Sequence, residues 1–277
     1  MGESTFPLSL CPTGIVPTRE TSPHVPLTPE EVARDVGECL ALGISSVHLH
    51  ARDDTGANCN LPGTYAKFIA ALRDAREDVV ICASCSGRID PGLESRSAVL
   101  TLPDELRPDL ASLTLGSLNF SRSASVNAPD VILGLAERMA ERGIKPELEV
   151  FDVGMVNYAH YLIDRGVIEP PYVFNIILGN PFTGQADPAH LGAIIKDLPA
   201  NSLWGVGGIG RQQTAAIALG LASGGGVRVG LEDNLWLDRD RTVQATNIAL
   251  LERTLQVAAA LERRPMTPPE MRQALGL

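Results

Sequence analysis

Apolar runs of the β type alternate with longer amphipathic runs along the whole chain, and this alternation is the strongest constraint on its fold. Eight such strand–helix units can be counted, at a spacing of roughly 30 residues as β/α units require. A single (β/α)8 TIM barrel is the economical α/β fold for this pattern, and an open doubly wound sheet is the alternative. The predicted strands are Pro7–Cys11, Ile44–His50, Val79–Ser84, Leu110–Leu115, Pro146–Phe151, Tyr172–Leu178, Ser202–Val206 and Gly226–Gly230.

The helices predicted between these strands follow from caps and breakers. Thr28 is a favourable N-cap, Pro29 suits the first helical position and Glu31 completes a capping box, so a helix is predicted from there to about Leu42. The chain ends in a short tail in which Thr267 to Glu270 caps a small helix. We expect residues 1–277 to form one domain. The other predicted helices are Pro62–Arg76, Leu93–Leu100, Pro129–Arg142, Gly154–Arg165, Asp187–Asp197, Gln212–Leu221 and Arg239–Arg264.

Length and charge narrow the possible functions. The chain has 277 residues, which is normal for an α/β barrel, and a formal net charge of −10. An acidic chain without a basic run is a poor candidate for binding nucleic acid. No run approaches the ~20 apolar residues of a membrane span, and no signal peptide is evident, so we expect a soluble cytoplasmic protein. Cys82 and Cys85 are close in sequence, and we interpret them as small side chains at a crowded strand end rather than a redox or metal pair.

The strand Ile44–His50 carries the most informative polar side chains. Because successive side chains on a strand alternate between its faces, His48 and His50 point the same way and Leu49 points the other way. Two imidazoles on one face commonly hold a divalent metal ion, although two core histidines bonded to backbone carbonyls would give the same pattern. Active sites of such barrels lie at the carboxyl ends of the strands. Those ends are polar here and also include Ser84, Ser86, Thr114, Ser117, Asn119, Glu147, Glu149, Asn175, Arg228, Glu232 and Asp233.

The last predicted strand adds a third candidate ligand. Arg228 and Glu232 share one face, while the apolar residues between them face the helices, so both charged side chains should point into the barrel mouth. A buried arginine–carboxylate pair without a catalytic role is the alternative. His48, His50 and Glu232 would form a set of three protein ligands with an open position, as in catalytic zinc sites. The same set is compatible with Fe(II) or Mn(II).

Two glutamates share one face of the otherwise apolar fifth strand. Glu149 is preferred for the site because it lies nearer the carboxyl end of the strand than Glu147 does. One of the two is expected to pair with an arginine or a lysine near the bottom of the barrel.

A glycine-rich segment follows the seventh strand. Residues 205–210 fit the pattern G-x-G-x-x-G, which in a Rossmann fold requires an acidic residue about 20 positions later. Glu232 lies at that distance, but it is already assigned to the metal. We interpret the segment as the phosphate-binding loop found after strands seven and eight of many barrels, with Arg211 beside it. A glycine-rich turn without a ligand is the alternative.

Motifs along nearly the whole chain resemble those of one enzyme family. The strongest are Val47-His48-Leu49-His50-Ala51-Arg52-Asp53 and Gly226-Val227-Arg228-Val229-Gly230-Leu231-Glu232-Asp233-Asn234; supporting motifs are Ser86-Gly87-Arg88, Ala111-Ser112-Leu113-Thr114 and Pro146-Glu147-Leu148-Glu149-Val150-Phe151-Asp152. With these motifs the chain resembles the β-keto acid cleavage enzymes, related to 3-keto-5-aminohexanoate cleavage enzyme. The resemblance implies a TIM barrel and a Zn²⁺ ion held by His48, His50 and Glu232. It also implies that a β-keto acid and acetyl-CoA give acetoacetate and a new acyl-CoA.

The resemblance further implies roles for individual side chains. Arg228 and Asp233 match the family's Arg–Asp pair, in which Arg228 keeps Asp233 ionised as the base. Glu149 matches a strand-five glutamate, and Ser84 matches a strand-three serine. We expect the substrate to be held by Ser84, Ser86, Gly87, Thr114 and Asn119, and CoA by Gly208, Gly210 and Arg211.

One departure from the family pattern concerns specificity. Some members carry a glutamate in the first loop where this chain has Val16, and Glu20 is close in sequence but not at the same position. We therefore expect a keto acid other than the amino-hexanoate. The resemblance also implies a homotetramer. A metal-dependent hydrolase or aldolase on the same barrel is the alternative enzyme, and a non-enzymatic carboxylate-binding protein is a third possibility.

Overall fold

The computed structural model describes residues 4–277, which fold around a closed barrel of eight parallel strands. Each strand pairs with the next one along the chain, and the last pairs with the first, with Val227 opposite Leu8. The predicted TIM barrel is confirmed, and the open sheet is excluded. The strands are β1 (Leu8–Leu10), β2 (Ser46–Leu49), β3 (Val80–Ala83), β4 (Leu110–Thr114), β5 (Lys145–Val150), β6 (Tyr172–Leu178), β7 (Ser202–Gly208) and β8 (Gly226–Val229).

Helices surround the barrel, most of them lying between consecutive strands. Within residues 4–277, none of them combines the length and the apolar character needed to cross a bilayer. They are α1 (Pro29–Leu40), α2 (Pro62–Ala75), α3 (Leu93–Ser97), α4 (Pro129–Glu141), α5 (Val153–Asp164), α6 (Pro188–Lys196), α7 (Gln213–Ala222), α8 (Asn247–Ala260) and α9 (Pro268–Leu275).

The capping boxes expected from the sequence are present. The Thr28 hydroxyl accepts a hydrogen bond from the Glu31 backbone N–H, and the Glu31 carboxylate accepts one from the Thr28 N–H. The same reciprocal pair forms between Thr267 and Glu270 at the start of α9. These side chains satisfy backbone donors that the first turn of a helix leaves free, and so they define where both helices begin.

The helix predicted over Arg239–Arg264 is wrong at both ends, because α8 begins at Asn247 and ends at Ala260. The Asp238 carboxylate accepts hydrogen bonds from the backbone N–H groups of Thr242 and Val243, at 2.9 and 2.7 Å. This side chain holds the segment in a tight turn, and Thr246 then caps the helix. An aspartate that binds nearby backbone donors competes with helix formation in this way.

Smaller differences concern the helix predicted over Leu93–Leu100 and two short ladders. The α-helical part ends at Ser97, and the chain continues as a 3₁₀ turn over Ala98–Thr101. Pro103 follows shortly, and a proline disfavours helical backbone at the residue before it. The unpredicted ladders pair Thr5–Phe6 with Arg264–Pro265 and Leu118–Asn119 with Ala124–Ser125.

Packing leaves the barrel accessible from one end. Alternate strand residues, including Leu8, Leu10, Val47 and Leu49, belong to the large apolar core between the strands and the helices. Val80, Leu110 and Val173, near the amino ends of their strands, pack inside the barrel against Met271 and Leu275 of α9. Helix α9 therefore covers the amino-terminal end, and the polar side chains at the carboxyl ends remain to form a site.

Candidate active site

Two histidines near the end of β2 meet a glutamate that follows β8. Candidate ligand atoms of His48, His50 and Glu232 all lie within 4.8 Å of one another. The His50 Nε2 atom is 3.3 Å from Glu232 Oε1, and the two imidazole centroids are 5.2 Å apart. Glu232 Oε2 is buried and has no hydrogen-bond partner within residues 4–277. An orphaned carboxylate oxygen beside two imidazoles fits a divalent cation, so the predicted ligand set is brought together.

Burial and neighbouring charge give the three groups different acidities. Burial lowers the pKa of His50. Burial acts in the same sense on His48, but the carboxylates of Glu147 and Glu232 outweigh it and raise the pKa of His48 to about 9. Although burial opposes the charged form of Glu232, Arg228 and the two imidazoles hold the pKa of this carboxyl well below its usual range. The cluster therefore carries an ionised carboxylate at neutral pH.

Glu147 contacts His48, whereas the sequence favoured Glu149 as the glutamate of the site. The Glu147 Oε1 atom is 3.0 Å from His48 Nδ1 and accepts a hydrogen bond from Asn175 Nδ2 at 2.8 Å. Glu147 thus pairs with a histidine and an amide. It does not form the ion pair with an arginine or a lysine that was expected for one of the two glutamates. Cys82 completes a second group of metal-type donors with His48 and Glu147. Burial raises the pKa of the Cys82 thiol well above its usual value, so the Cys82 side chain is protonated at neutral pH.

Arg228 connects the cluster to Asp233. The guanidinium is 3% exposed and lies 2.7 Å from Glu232 Oε1 and 2.9 Å from Asp233 Oδ2. The predicted ion pair is therefore present. Burial nevertheless raises the pKa of Asp233; Arg228 opposes this rise and the charge of Glu232 adds to it. The result is a carboxylate of increased basicity held in a fixed position, which is what a general base requires.

A cavity of about 510 Å³ opens beside these groups, within the size range of small-molecule sites. The Thr114 hydroxyl donates a hydrogen bond of 2.5 Å to Glu149 Oε2 at its wall. Most of the side chains proposed from the sequence line this cavity, namely His50, Ser84, Ser86, Thr114, Glu149, Gly210, Arg228, Glu232 and Asp233.

Five predicted site residues lie outside the lining of the cavity, and one of them, His48, belongs to the candidate metal cluster described above. Two of the other four are glycines. A Cβ atom on Gly87 would approach the Arg96 guanidinium at 3.1 Å, and one on Gly208 would meet the Gln212 carbonyl oxygen at 2.6 Å. Both glycines therefore permit close packing. The other two are exposed side chains, those of Asn119 and Arg211.

The first loop, where the sequence departs from the family pattern at Val16, forms a wall of the site. Ile15, Val16 and Pro17 line the cavity, and Val16 is 54% exposed. Arg52, itself buried, donates hydrogen bonds to the carbonyl oxygens of Gly14 and Pro17 at 2.6 and 2.9 Å. Gly14 has a φ of 70°, and a Cβ there would lie 2.4 Å from Glu232 Cγ. Arg52 thus holds this loop directly against the candidate metal ligand.

Fold and site together define a TIM-barrel enzyme with a candidate metal centre at the carboxyl ends of its strands. The chain belongs to the β-keto acid cleavage enzyme family, whose sequence model matches residues 7–277. This match confirms the resemblance seen in the motifs and the prediction of an enzyme of this class.

Characterised relatives cover nearly the whole chain. It is 37% identical over 261 residues to a 3-keto-5-aminohexanoate cleavage enzyme of Fusobacterium nucleatum, covering 94% of this chain and 93% of the relative. It is 33% identical over 276 residues to a 3-oxoadipate:acetyl-CoA acetyltransferase of Cupriavidus necator, covering 98% and 94%. A 3-dehydrocarnitine:acetyl-CoA trimethylamine transferase of Rhizobium meliloti is 31% identical over 284 residues, covering 96% and 94%.

Solved structures agree on the fold. A ternary complex of ObcA with a C4-CoA adduct and oxalate superposes with a TM-score of 0.81 at 20% identity, covering 92% of this chain and 68% of that one. A binary complex of ObcA with oxaloacetate gives a TM-score of 0.78 at 21% identity, with the same coverage. At this identity the likeness supports the barrel architecture alone.

Proposed function

We propose that this protein is a zinc-dependent acyltransferase that converts a β-keto acid and acetyl-CoA into acetoacetate and a new acyl-CoA. The observation that carries the proposal is the convergence of His48, His50 and Glu232 with the buried Arg228–Asp233 pair beside one cavity, in a chain of this family. The names of several relatives, including the acetyltransferase acting on 3-oxoadipate, also specify acetyl-CoA as the second substrate of those proteins.

The reaction is balanced without an oxidant or a reductant. A proton leaves C2 of the keto acid, between the ketone and the carboxylate, and C2 forms a bond to the acetyl carbon as the CoA thiolate departs. The thiolate then adds to the original ketone carbon, and the bond between this carbon and C2 breaks. The products are an acyl-CoA, which contains the former ketone carbon, and acetoacetate, which regains the proton at C2.

The metal cluster, the Arg228–Asp233 pair and the hydroxyl groups beside the cavity have separate tasks in this scheme. Asp233 takes the proton from C2, and Arg228 holds the Asp233 carboxylate in place through the ion pair at 2.9 Å. Ser84 and Ser86 supply hydroxyl donors for the substrate carboxylate, whereas the single hydroxyl proton of Thr114 is donated to Glu149. A zinc ion held by His48, His50 and Glu232 would supply Lewis-acid polarisation of the keto oxygen.

The first loop bears on which keto acid is accepted. Ile15 and Val16 present apolar side chains to the cavity, and Glu20 lies instead on a separate depression lined by Arg52 and Asp53. An apolar wall gives no counter-ion for a substrate ammonium group, and burying an unpaired charge there would be costly. The proposed substrate is therefore a β-keto acid whose distal group near this loop carries no positive charge.

The decisive experiment incubates zinc-loaded protein with a panel of β-keto acids, each with and without acetyl-CoA, and measures acetoacetate and acyl-CoA by mass spectrometry. The proposal expects both products together and only when acetyl-CoA is present. A hydrolase or an aldolase would cleave the keto acid at full rate without any thioester. The panel should include acids with neutral, acidic and ammonium-bearing side chains, and the last group should react most slowly.

We also propose a homotetramer, which the family resemblance implies, and a cytoplasmic location, which is the expectation from the sequence. Size-exclusion chromatography with light scattering tests the tetramer directly, since a monomer of 29.5 kDa is readily distinguished from four copies.

A further inference from the structure

The arginines that line the cavity differ in how their charge is compensated. Arg228 is paired with Glu232 and Asp233. Arg88 lies over the Phe120 ring, with 4.5 Å from the guanidinium carbon to the ring centroid. Arg88, Arg122 and Arg241 have no carboxylate within ion-pair distance in the described part of the chain. In a protein of net charge −10, uncompensated guanidinium groups around one cavity indicate a site for an anionic ligand.

Arg241 is placed by an ordered loop between β8 and α8. The Leu237 N–H donates to the Val243 carbonyl oxygen at 2.9 Å, and the Asp238 carboxylate holds the turn between them, as described above. Arg241 is exposed at this turn, with a φ of 60°. Its Nη2 atom lies 3.6 Å from the point that a Cβ on Gly210 would occupy. The guanidinium therefore reaches the loop after β7.

The position of this side chain suits a phosphate. In TIM barrels, phosphate groups are frequently bound by the loops after strands seven and eight, and Arg241 joins those two loops at the rim of the cavity. A guanidinium binds phosphate through paired, charge-assisted hydrogen bonds, which favours arginine for this task. With its acyl group at Glu232, a CoA thioester would extend its pantetheine arm out of the cavity, which places its phosphates towards the rim where Arg241 lies.

We propose that Arg241, together with the loop at Gly210, binds a phosphate group of the CoA thioester. The proposal rests on the function proposed above, because that function requires acetyl-CoA. It assigns the phosphate contact to Arg241 in place of Arg211, which is exposed and does not line the cavity. The substrate's own carboxylate then remains with the hydroxyl groups of Ser84 and Ser86.

The test compares acetyl-CoA with S-acetylpantetheine, which carries the same thioester but no phosphate. Arg241→Ala should raise the KM for acetyl-CoA roughly tenfold with little change in kcat, the size expected for losing one charge-assisted contact. The KM for S-acetylpantetheine should be the same in the variant and the wild type. Raising the salt concentration should reduce the difference between the two proteins with acetyl-CoA, since salt screens exposed charges.

The matched control is Arg239→Ala, which removes the same charge from an exposed position two residues away in the same loop. It should leave the KM for acetyl-CoA unchanged. Equal effects of Arg239→Ala and Arg241→Ala on the KM would show that the loss of any positive charge in this loop weakens binding, and this would overturn the proposal. A rise in KM for Arg211→Ala, without one for Arg241→Ala, would return the contact to Arg211.

Calorimetric titration with CoA itself separates this proposal from the proposed function. If the wild type forms acetoacetate but binds CoA no better than Arg241→Ala does, the phosphate site is wrong and the reaction stands. If no keto acid gives acetoacetate, the reaction is wrong. Even if no acetoacetate forms, weaker CoA binding by Arg241→Ala, with unchanged binding by Arg239→Ala, would support the phosphate site.

Discussion

Glu147 illustrates how much of this site depends on a residue outside the proposed zinc ligands His48, His50 and Glu232. His48 has two ring nitrogens, and Glu147 lies 3.0 Å from Nδ1, which leaves Nε2 for the cluster with His50 and Glu232. Although burial opposes its ionisation, the pKa of Glu147 is lowered to about 2, chiefly by His48. A carboxylate that accepts a hydrogen bond from the second nitrogen of a metal-binding histidine fixes its tautomer and orientation.

Glu147→Gln should therefore weaken zinc binding by about tenfold, because an isosteric amide keeps the shape but removes the charge. Competition with a chromophoric chelator measures the affinity without using activity. His48→Ala provides the comparison in which the metal content itself should fall, and Glu149→Gln, two residues along β5, should bind zinc as the wild type does. Unchanged affinity in Glu147→Gln would show that Glu147 has no positioning role.

Asp233 can be tested separately from the metal. Asp233→Asn keeps the side-chain shape but removes the proposed base, so kcat should fall by ~10²–10⁴-fold. Zinc content should remain at the wild-type level, because Arg228 still pairs with Glu232 at 2.7 Å and the ligand set is untouched. Steady-state kinetics and elemental analysis of the same preparation provide both values. A rate within a few-fold of the wild type would mean that another group removes the proton.

The residues that could be predicted from the sequence are those whose direction follows from strand parity. Alternation along a strand predicts that His48 and His50 share a face and that Arg228 and Glu232 share a face. The structure brings the four together, although Glu232 lies in the turn after β8. Strand alternation does not tell how far along the barrel axis a side chain lies, because two residues on the same face of a strand differ only in that position. For that reason the sequence could not show that Glu147, and not Glu149, contacts His48.

At the scale of elements, the same limit appears where side chains override a periodic pattern. The residues before α8 contain enough apolar and charged positions to resemble a helix, yet the Asp238 carboxylate binds backbone donors and produces a loop. That loop places Arg241 and Trp236 at the cavity. Long loops at the carboxyl ends of barrel strands commonly carry function, so the error in the predicted helix coincides with a candidate ligand contact.

The contact between α1 and α8 contains a partly buried carboxylate, that of Asp35, whose pKa is shifted. Asp35 on α1 accepts a hydrogen bond of 2.6 Å from Asn247 Nδ2 at the start of α8. Burial raises the pKa of Asp35 to about 6, even though the bond from Asn247 favours the charged form. Because the folded state holds the proton more tightly than the unfolded state, this group makes the protein less stable as pH rises from about 4 to about 6.

Asp35→Asn should therefore raise the free energy of unfolding at pH 7 by about 2 kcal/mol, since the amide has no charge to bury. The gain should shrink as pH falls from about 6 to about 4, because Asp35 then becomes protonated in the wild type. Urea unfolding of both proteins across this pH range measures the difference. Glu38→Gln, an exposed carboxylate on the same helix, should change stability little at any pH. A constant difference between pH 4 and pH 7 would contradict the assignment.

At the scale of the whole molecule, the barrel was predictable because eight repeated units report the same architecture. Errors at the ends of single elements, such as α3 or α8, leave the count of strands intact. The pattern cannot show which end of the barrel is closed. Packing of Met271 and Leu275 against Val80, Leu110 and Val173 closes the amino-terminal end, so substrates must reach the site through the loops at the opposite end.

Both proposed substrates share the cavity at the carboxyl ends of the strands, and the fate of their carbon atoms tests the proposed reaction as a whole. In the proposed scheme C2 and the carboxylate of acetoacetate come from the keto acid, while its methyl and keto carbons come from acetyl-CoA. With acetyl-CoA labelled with ¹³C at both acetyl carbons, all label in acetoacetate should therefore fall in the methyl ketone half. The new acyl-CoA should contain none. Carbon NMR of the products distinguishes the two halves of acetoacetate directly. Label in the new acyl-CoA, with unlabelled acetate as the other product, would mean that the acetyl group, and not the keto acid, supplies the carbanion, and the proton abstraction assigned to Asp233 would then have to occur on the thioester.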